Sequence, residues 1–165
     1  MIEMLRVDDR LIHGQIAMRW TKYLMVDSII LANDAAAADK VHQTVLKMAC
    51  PKNIKLAIYG IDESIDLMLN PRLKDRKVLT IVNSLDDALA VLKAVPGIKR
   101  FNIGNYGKNV GDGAKRKLLH LCLTADEREI EVLKDLHKLG FPSDIQMIPD
   151  NDLITLEDIL KKNNL

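Results

Sequence analysis

Short apolar runs alternate with amphipathic segments along the whole chain, and this alternation constrains the fold more than any other feature. The runs at 26–32 and 77–82 are short and rich in β-branched residues, which is typical of buried strands. Between such runs, apolar residues recur at helical spacing. Strands that alternate with helices indicate βαβ units around a mainly parallel, open twisted sheet. We therefore expect an α/β fold, and a chain of 165 residues fits a single domain over 1–165.

The same patterns predict where the elements begin and end. Ser84 is expected to cap the helix that follows it, and Thr124 with Glu127 has the spacing of a capping box. A glycine-rich stretch runs from Gly104 to Gly113. The predicted strands are 2–7, 26–32, 55–59, 77–82, 100–103, 117–123 and 144–148, and the predicted helices are 14–24, 35–49, 61–69, 85–95, 124–140 and 155–162.

Composition argues against several classes of function. The formal net charge is +1, so no overall field attracts the chain to nucleic acid or to a membrane surface. Cys50 and Cys122 are far apart and lack the C-x-x-C spacing, which favours core cysteines in a reducing cytosol. The N-terminus does not resemble a signal peptide, and no apolar run approaches the roughly 18 residues of a membrane span. We expect a soluble, cytoplasmic domain that binds no nucleic acid and does not itself span a membrane.

The segment VDDRLIHGQ, residues 7–15, is the densest group of candidate functional residues. It follows the first predicted strand, and open α/β sheets bind ligands at the carboxyl ends of strands. His13 is a side chain that can act as an uncharged nucleophile near neutral pH. The planar guanidinium of Arg10 suits phosphate oxygens, and the backbone amides of Leu11, Ile12, Gly14 and Gln15 lead into a helix start that favours anions.

The residues alone leave two alternatives open at this segment. One of Asp8 and Asp9 is expected to accept an N–H from His13 and the other to hold Arg10, without a way to tell them apart. A histidine in a turn between a strand and a helix is also often structural. Nucleotide-binding glycine motifs, a nucleophilic serine elbow and metal-ligand spacings are absent from the sequence, so we expect no cofactor and no metal.

The segment VDDRLIHGQIAMRWT resembles the signature RIDDRLIHGQVxxxW of the IIB subunits of the bacterial phosphoenolpyruvate-dependent sugar phosphotransferase system, in the mannose/fructose/sorbose family. IILANDAAAAD is similar to the family's second strand and the start of its second helix, and FNIGNYG is similar to its VNVGNM segment. TADEREIEVLKDLHKLGFPSDIQMIPD resembles its acid-led helix and closing strand. The resemblance covers nearly the whole chain.

This resemblance implies a three-layer α/β/α domain whose first strand lies inside the sheet. It implies that His13 accepts a phosphoryl group from a phosphohistidine of a IIA subunit. The group then passes to a sugar imported through the membrane subunits IIC and IID, beside which the domain would work. Arg10 would bind the phosphate, and Asp8 or Asp9 would orient the site. The sugar, the phosphorylated imidazole nitrogen and the oligomeric state stay open.

Several other residues receive a secondary interpretation. Asn83 and Ser84, like Gly104 and Asn105, follow strands that are expected to flank the first strand, so they are candidate contributors to the site. The loop KNVGDGAKRKLLHLCL departs from the pattern of many relatives, so we expect a difference in partner or sugar preference. We expect Trp20 to pack in the core or an interface. The remaining histidines, His42, His120 and His137, are interpreted as structural or surface residues, and the run 115–117 as a solvated basic edge or a contact for an acidic partner.

Two rival functions remain at this point. One is a small α/β enzyme that uses His13 and Asp9 as an acid–base pair on a soluble sugar phosphate. The other is a binding or regulatory module that has kept the fold and lost phosphoryl transfer. The intact Asp-Arg-x-x-His spacing argues against the second rival.

Overall fold

A seven-stranded sheet forms the middle layer of the computed structural model, which describes residues 1–108 and 115–165, with positions 15 and 16 as backbone only. The strand order is β3-β2-β4-β1-β5-β8-β9, with parallel pairing throughout except between β8 and β9. A separate antiparallel hairpin pairs β6 with β7. The strands are β1 (Ile2–Asp8), β2 (Ser28–Ala32), β3 (Lys55–Tyr59), β4 (Val78–Val82), β5 (Phe101–Asn105), β6 (Lys117–His120), β7 (Leu123–Ala125), β8 (Ser143–Ile145) and β9 (Ile154–Thr155).

Helices cover both faces of the sheet. One apolar core lies beneath the first three helices, with Trp20 and Leu46 among its buried residues, and a larger one lies beneath the last four. The predicted three-layer α/β/α architecture is therefore confirmed. The helices are α1 (Gly14–Leu24), α2 (Asp34–Ala38), α3 (Lys40–Ala49), α4 (Ile61–Leu69), α5 (Leu85–Ala94), α6 (Glu127–Lys138) and α7 (Leu156–Lys162), with a 3-10 turn at Pro71–Leu73.

Three predicted elements differ from the structure for local reasons. The helix predicted over 35–49 is two helices, because Asp39 is extended and its carboxylate accepts from the backbone N–H groups that begin α3. The strand predicted over 117–123 is the β6–β7 hairpin. The capping box is formed by Asp126 and Glu129, two residues later than predicted from Thr124.

The sheet order places β1 where a ligand site is expected. β1 lies between β4 and β5, so the strands that lead to Asn83 and Ser84 and to Gly104 and Asn105 flank it as predicted. From β1 the chain moves to β2 on one side, while β5 and β8 lie on the other side, so the strand order diverges beside β1. The carboxyl end of β1, at Asp8, therefore opens at a switch point of the sheet. Within 1–108 and 115–165, no helix is long and apolar enough to cross a membrane.

Candidate functional site

A tight turn projects His13 from the end of β1. Leu11 has a positive φ of 58°, and its N–H donates to the carbonyl of Asp8 at 2.9 Å. The side chains of Leu11 and Ile12 are buried in the core, which anchors the turn. His13 then occupies the N-cap position of α1 in an extended conformation, with its side chain 30% exposed. The turn thus presents a half-buried imidazole at the start of a helix.

The carboxylate of Asp8 is the centre of the site. It is completely buried, and its Oδ2 atom lies 3.5 Å from Nε2 of His13. Its Oδ1 atom accepts from both the backbone N–H and the side-chain Nε of Arg10, each at 3.2 Å. One carboxylate therefore holds the histidine and the arginine together, whereas the sequence interpretation divided these two contacts between Asp8 and Asp9.

The environment of His13 favours its uncharged form. Burial lowers the pKa of His13 below its ordinary value, and the charge of Arg10 acts in the same direction. The carboxylate of Asp8 acts in the opposite direction, but burial is the larger influence. An uncharged imidazole keeps one nitrogen lone pair available, which is what a nucleophile requires.

Arg10 presents its guanidinium next to His13. Its side chain is 38% exposed, and the bond from Nε to Asp8 fixes one edge of the guanidinium. Among the described residues, the terminal nitrogens Nη1 and Nη2 have no recorded partner. Arginine nitrogens in this arrangement suit the oxygens of a phosphoryl group.

The start of α1 is prepared for an anion. This helix has no acidic residue in its first turn, whereas α4, α5, α6 and α7 each carry acids there. Gly14 leaves open space, because a Cβ built on it would meet no atom within 4 Å. The N–H groups of Ile12 and Gly14 have no recorded acceptor in the described part of the chain. Leu11 was predicted to offer its amide as well, but that amide already donates to Asp8, so this assignment is corrected.

Asp9 fastens the neighbouring strand to the turn. Its Oδ1 atom accepts from Nδ2 of Asn105 at 2.5 Å, and its Oδ2 atom accepts from the N–H of Gly107 at 3.2 Å. The backbone N–H of Asp9 also donates to the carbonyl of Asn105 at 3.0 Å. Asn105 thus belongs to the surroundings of the site, and it acts through Asp9.

Arg6 is a site residue that the sequence interpretation missed. It is 1% exposed, and its Nη2 donates to Oδ2 of Asp8 at 2.9 Å, the same oxygen that faces His13. Gly104 makes room for it, because a Cβ at that position would overlap the guanidinium. Charged residues rarely lie in a buried strand without a partner, and positions two apart share one face of a strand. The order Arg6-Val7-Asp8 therefore contained the signal.

A buried polar network extends from Arg6 to the edge of the sheet. Asn102 accepts from Arg6 at 2.5 Å and donates to Asp144 at 2.7 Å. Asp144 is bound by Arg100 at 2.5 and 2.8 Å. The guanidinium carbons of Arg6 and Arg100 each lie 5.3 Å from the ring centroid of Trp20. Trp20 is fully buried, which confirms the interpretation that it packs in the core.

Among the described residues, Asn83 and Ser84 make no recorded side-chain hydrogen bond to Asp8, Arg10 or His13. Ser84 caps α5 by accepting from the N–H of Asp87, and no side-chain hydrogen bond of Asn83 is recorded among the described residues. Arg116 is not part of a solvated basic edge as predicted, because it pairs with Glu129 at 2.6 Å and is largely buried. The glycines at 111 and 113 lie outside the described residues.

In the described part of the chain, the remaining histidines and cysteines form neither a metal site nor a disulfide. His42 and His137 are exposed on helices, and His120 ends β6 with Nδ1 at 3.2 Å from Sγ of Cys122. Both cysteines are free. In the part of the chain that the structure describes, no three His, Cys, Asp or Glu side chains are grouped to hold a metal ion.

Comparisons with known proteins agree with this geometry. The family model described as "PTS system sorbose subfamily IIB component" matches residues 2–165. A probable phosphotransferase enzyme IIB component of Streptococcus pyogenes serotype M6 is 37% identical over 163 residues, which cover 97% of this chain and 99% of that protein. The mannose-specific EIIAB component of Escherichia coli is 27% identical, with 98% of this chain matching 49% of that protein.

A solved structure shows the same architecture. The crystal structure of the IIBSor domain of the sorbose permease from Klebsiella pneumoniae superposes with a TM-score of 0.88 at 27% sequence identity. The match covers 98% of this chain and 96% of that chain.

Proposed function

Because the chain belongs to the sorbose subfamily of IIB components of the phosphotransferase system, it is a phosphotransferase that acts in sugar phosphotransfer, and we propose that His13 is the residue that carries the phosphoryl group. In this proposal, Arg10 binds the transferring oxygens, and Asp8 positions both side chains. The amides of Ile12 and Gly14 and the start of α1 contribute further positive potential.

The contact between Asp8 and His13 carries the proposal. Asp8 faces Nε2 at 3.5 Å, which favours the tautomer with the proton on that nitrogen. The lone pair is then on Nδ1, and we assign Nδ1 as the nucleophile. Nδ1 is bonded to Cγ and so lies closer to the backbone than Nε2 does. A phosphoryl group on Nδ1 therefore remains near the first amides of α1.

The transfer step follows from these positions. Nδ1 of neutral His13 forms a bond to phosphorus while the donor's N–P bond breaks, and the electron pair of that bond returns to the donor nitrogen. The imidazole of His13 gains positive charge as the new bond forms, and the carboxylate of Asp8 stabilises this charge through Nε2–H. Arg10 stabilises the equatorial oxygens, so the protein contributes mainly position and electrostatics.

The donor and acceptor are proposed from the family. The donor is a phosphohistidine of a IIA subunit or domain, in keeping with the EIIAB name of the mannose-specific relative. The acceptor is a hydroxyl of a sugar carried by the membrane subunits IIC and IID. The hydroxyl oxygen bonds to phosphorus, the Nδ1–P bond breaks with its electron pair returning to Nδ1, and the hydroxyl proton is released. We place this work at the cytoplasmic side of the membrane, beside those subunits.

The rival acid–base enzyme receives less support from the geometry. It required Asp9 to pair with His13, but the recorded hydrogen bonds of Asp9 run to Asn105 and Gly107, and Asp8 occupies the position beside the imidazole. The rival that lost phosphoryl transfer also receives less support, because Asp8 lies within contact distance of both Arg10 and His13.

Mass spectrometry tests the proposal directly. The protein is incubated with phosphoenolpyruvate, the general phosphotransfer proteins and a IIA partner, and we expect one acid-labile phosphoryl group per chain. His13→Ala should abolish this gain in mass, whereas His42→Ala and His137→Ala, which change exposed helix residues, should retain it. Phosphoryl gain by His13→Ala would refute the assignment.

A further inference from the structure

We propose that Arg6 is a positioning residue for phosphoryl transfer, whose buried guanidinium holds the carboxylate of Asp8 against Nε2 of His13, so that the free lone pair of His13 stays on Nδ1. Arg6 does not contact the transferring group in this proposal, because it is buried within β1, two residues before Asp8. It acts on His13 mainly through Asp8, beside a weaker direct effect of its charge that also lowers the pKa of His13. The inference rests on the proposed role of His13 and adds a residue below the surface of the site.

The contacts of Arg6 fit this role. Its Nη2 donates to Oδ2 of Asp8 at 2.9 Å and to the carbonyl of Met147 at 3.0 Å. Its Nη1 donates to Oδ1 of Asn102 at 2.5 Å and to the carbonyl of Gln146 at 3.2 Å. Three uncharged acceptors and the face of Trp20 thus fix the plane of the guanidinium, and Asp8 is its one carboxylate partner among the described residues. The guanidinium is oriented by groups that do not depend on His13.

The shared oxygen makes Arg6 relevant to the nucleophile. Oδ2 of Asp8 is the atom that accepts from Arg6 and also the atom that faces Nε2 of His13. Arg10 binds the other oxygen, and it is partly exposed. A fully buried carboxylate is stable as an anion only when charged and hydrogen-bonded partners surround it. Arg6 is the partner that water does not reach.

The charged and titratable groups around Asp8 and His13 come from three parts of the chain. Arg6 lies on β1 and Arg10 in the turn, and the thiol of Cys122, in the β6–β7 turn, is near enough to interact with Arg6 and Asp8. Burial raises the pKa of the Cys122 thiol, so it contributes no charge near neutral pH. Among the described residues, the charged groups recorded as acting on His13 are therefore the guanidinium groups of Arg6 and Arg10 and the carboxylate of Asp8.

Loss of Arg6 would add a proton to the pair of Asp8 and His13. If the proton stays on the imidazole, both ring nitrogens are protonated. If it moves to the carboxyl group, that group donates to Nε2, and the ring's own proton lies on Nδ1. In both states Nδ1 has no free lone pair. Arg6 therefore extends to lower pH the range in which Nδ1 is available as the nucleophile.

Arg100 offers a matched control. Like Arg6, it lies 5.3 Å from the ring centroid of Trp20 and belongs to the same buried network, but its recorded bonds run to Asp144 and Gln146 rather than to Asp8. A purely structural role predicts similar effects for Arg6→Met and Arg100→Met. The proposed role predicts an effect on His13 only for Arg6→Met.

The test combines an imidazole titration with a pH–rate profile. Nitrogen-15 NMR of the labelled imidazole in the unphosphorylated protein, recorded across the pH range, should show Nδ1 becoming protonated at higher pH in Arg6→Met than in the parent and in Arg100→Met. In the profile of phosphoryl acceptance from a phosphorylated IIA partner, Arg6→Met should shift the acid limb upward by about one pH unit or more, equivalent to a tenfold change in proton affinity. Arg6→Lys should give a smaller shift in the same direction.

A double-substitution cycle decides whether Arg6 acts through Asp8. The double variant Asp8→Asn with Arg6→Met replaces the buried ion pair by neutral groups. If Arg6→Met alone does not fold, Arg6→Lys takes its place in the cycle. In the Asp8→Asn background, each substitution of Arg6 should shift the acid limb less than half as far as the same substitution does beside Asp8. An equal shift of the acid limb in both backgrounds would overturn the inference. A folded Arg6→Met or Arg6→Lys protein whose imidazole titration and pH–rate profile match those of the parent would overturn it as well.

Failure of the inference can be distinguished from failure of the proposed function. If His13→Ala still accepts phosphate, the proposed function fails, whatever the imidazole titration shows. If His13→Ala is inactive while the Arg6 variants match Arg100→Met in both measurements, the role of Arg6 fails and that of His13 stands.

Discussion

The Oδ2 atom of Asp8 lies 3.5 Å from Nε2 of His13, and this carboxylate is completely buried. Its other oxygen is bound to Arg10. Any movement of Asp8 therefore shifts the proposed nucleophile and the proposed phosphate ligand together. A buried group that fixes two reacting partners contributes to catalysis through their mutual geometry, which is a large effect when reacting atoms must be aligned.

Asp8→Asn should separate the effects of charge and shape at this position. The amide keeps the shape of the side chain but leaves the buried guanidinium of Arg6 without its carboxylate, so we expect the free energy of unfolding to fall by about 3–5 kcal/mol. The titration of His13 should move to lower pH, because the carboxylate of Asp8 now raises its pKa. Urea denaturation, followed by emission of the single tryptophan, and imidazole NMR measure these two changes.

Two other acids serve as controls for that substitution. Asp150→Asn disrupts an exposed pair with Arg19 and should cost less than about 1 kcal/mol. Asp9→Asn should leave the titration of His13 unchanged, because its recorded bonds run to Asn105 and Gly107. A stronger effect of Asp9→Asn than of Asp8→Asn on the imidazole would exchange the roles that we assign to the two acids.

Arg10→Lys should slow phosphoryl acceptance while leaving the fold intact. Lysine keeps the positive charge but replaces a planar group that can bind two oxygens by a point charge. The loss of one charge-assisted hydrogen bond corresponds to a rate decrease of about tenfold. Rapid-quench assays of phosphoryl transfer from a phosphorylated IIA partner measure the rate. Arg19→Lys, at another partly exposed position, should retain the parent rate, and equal rates in both variants would contradict the role of Arg10.

Gly104→Ala and Gly14→Ala should have opposite consequences for stability. A Cβ at Gly104 would overlap the guanidinium of Arg6, so we expect a loss of about 1–3 kcal/mol, as in other overpacked cores. A Cβ at Gly14 meets open space in the first turn of α1, and alanine there should be neutral or stabilising by up to about 1 kcal/mol. Thermal and urea denaturation measure both values. A stable Gly104→Ala protein with an unchanged Arg6 contact would show that the buried network can rearrange.

The fold was largely predictable because it depends on local patterns. Alternating apolar runs and helical spacings identified the parallel sheet, and they predicted a ligand site at the carboxyl end of β1. The errors arose where a single polar side chain decides the local structure. Asp39 divides one predicted helix into two by capping the second, and the hairpin after residue 116 required a turn within an apolar run that sequence periodicity does not reveal.

The sequence motif of the candidate site could be predicted, but the hydrogen bonds of its side chains could not. His13 and Arg10 follow from residue type and from the end of a strand, but the roles of the two acids depend on which way each side chain points. Asp8 is the last residue of β1, and its buried side chain lies on the same face of the strand as Arg6, whereas Asp9 begins the turn and binds Asn105 of β5. Arg6 was missed although the order Arg6-Val7-Asp8 places both charged side chains on one face of a strand, because that spacing alone does not say which buried acceptor the guanidinium binds.

The stability of the protein should depend on pH through His13. Burial lowers the pKa of His13 below the ordinary value of about 6.5 that applies in the unfolded chain. As the pH falls below that value, the unfolded state therefore binds a proton that the folded state does not, and the free energy of unfolding decreases until the folded pKa is passed. Above about pH 7 this contribution is constant.

His13→Gln should remove this part of the pH dependence. The free energy of unfolding of the variant, measured by urea denaturation between about pH 5 and pH 7.5, should fall less steeply toward acid than that of the parent. Burial and the charges of Lys162 and Lys108 also lower the pKa of His120, so both proteins retain a slope from that residue, and the difference between them isolates His13. A parallel curve for His13→Gln would show that the imidazole is as easily protonated in the fold as in the unfolded chain, and the neutral nucleophile would lose its physical basis.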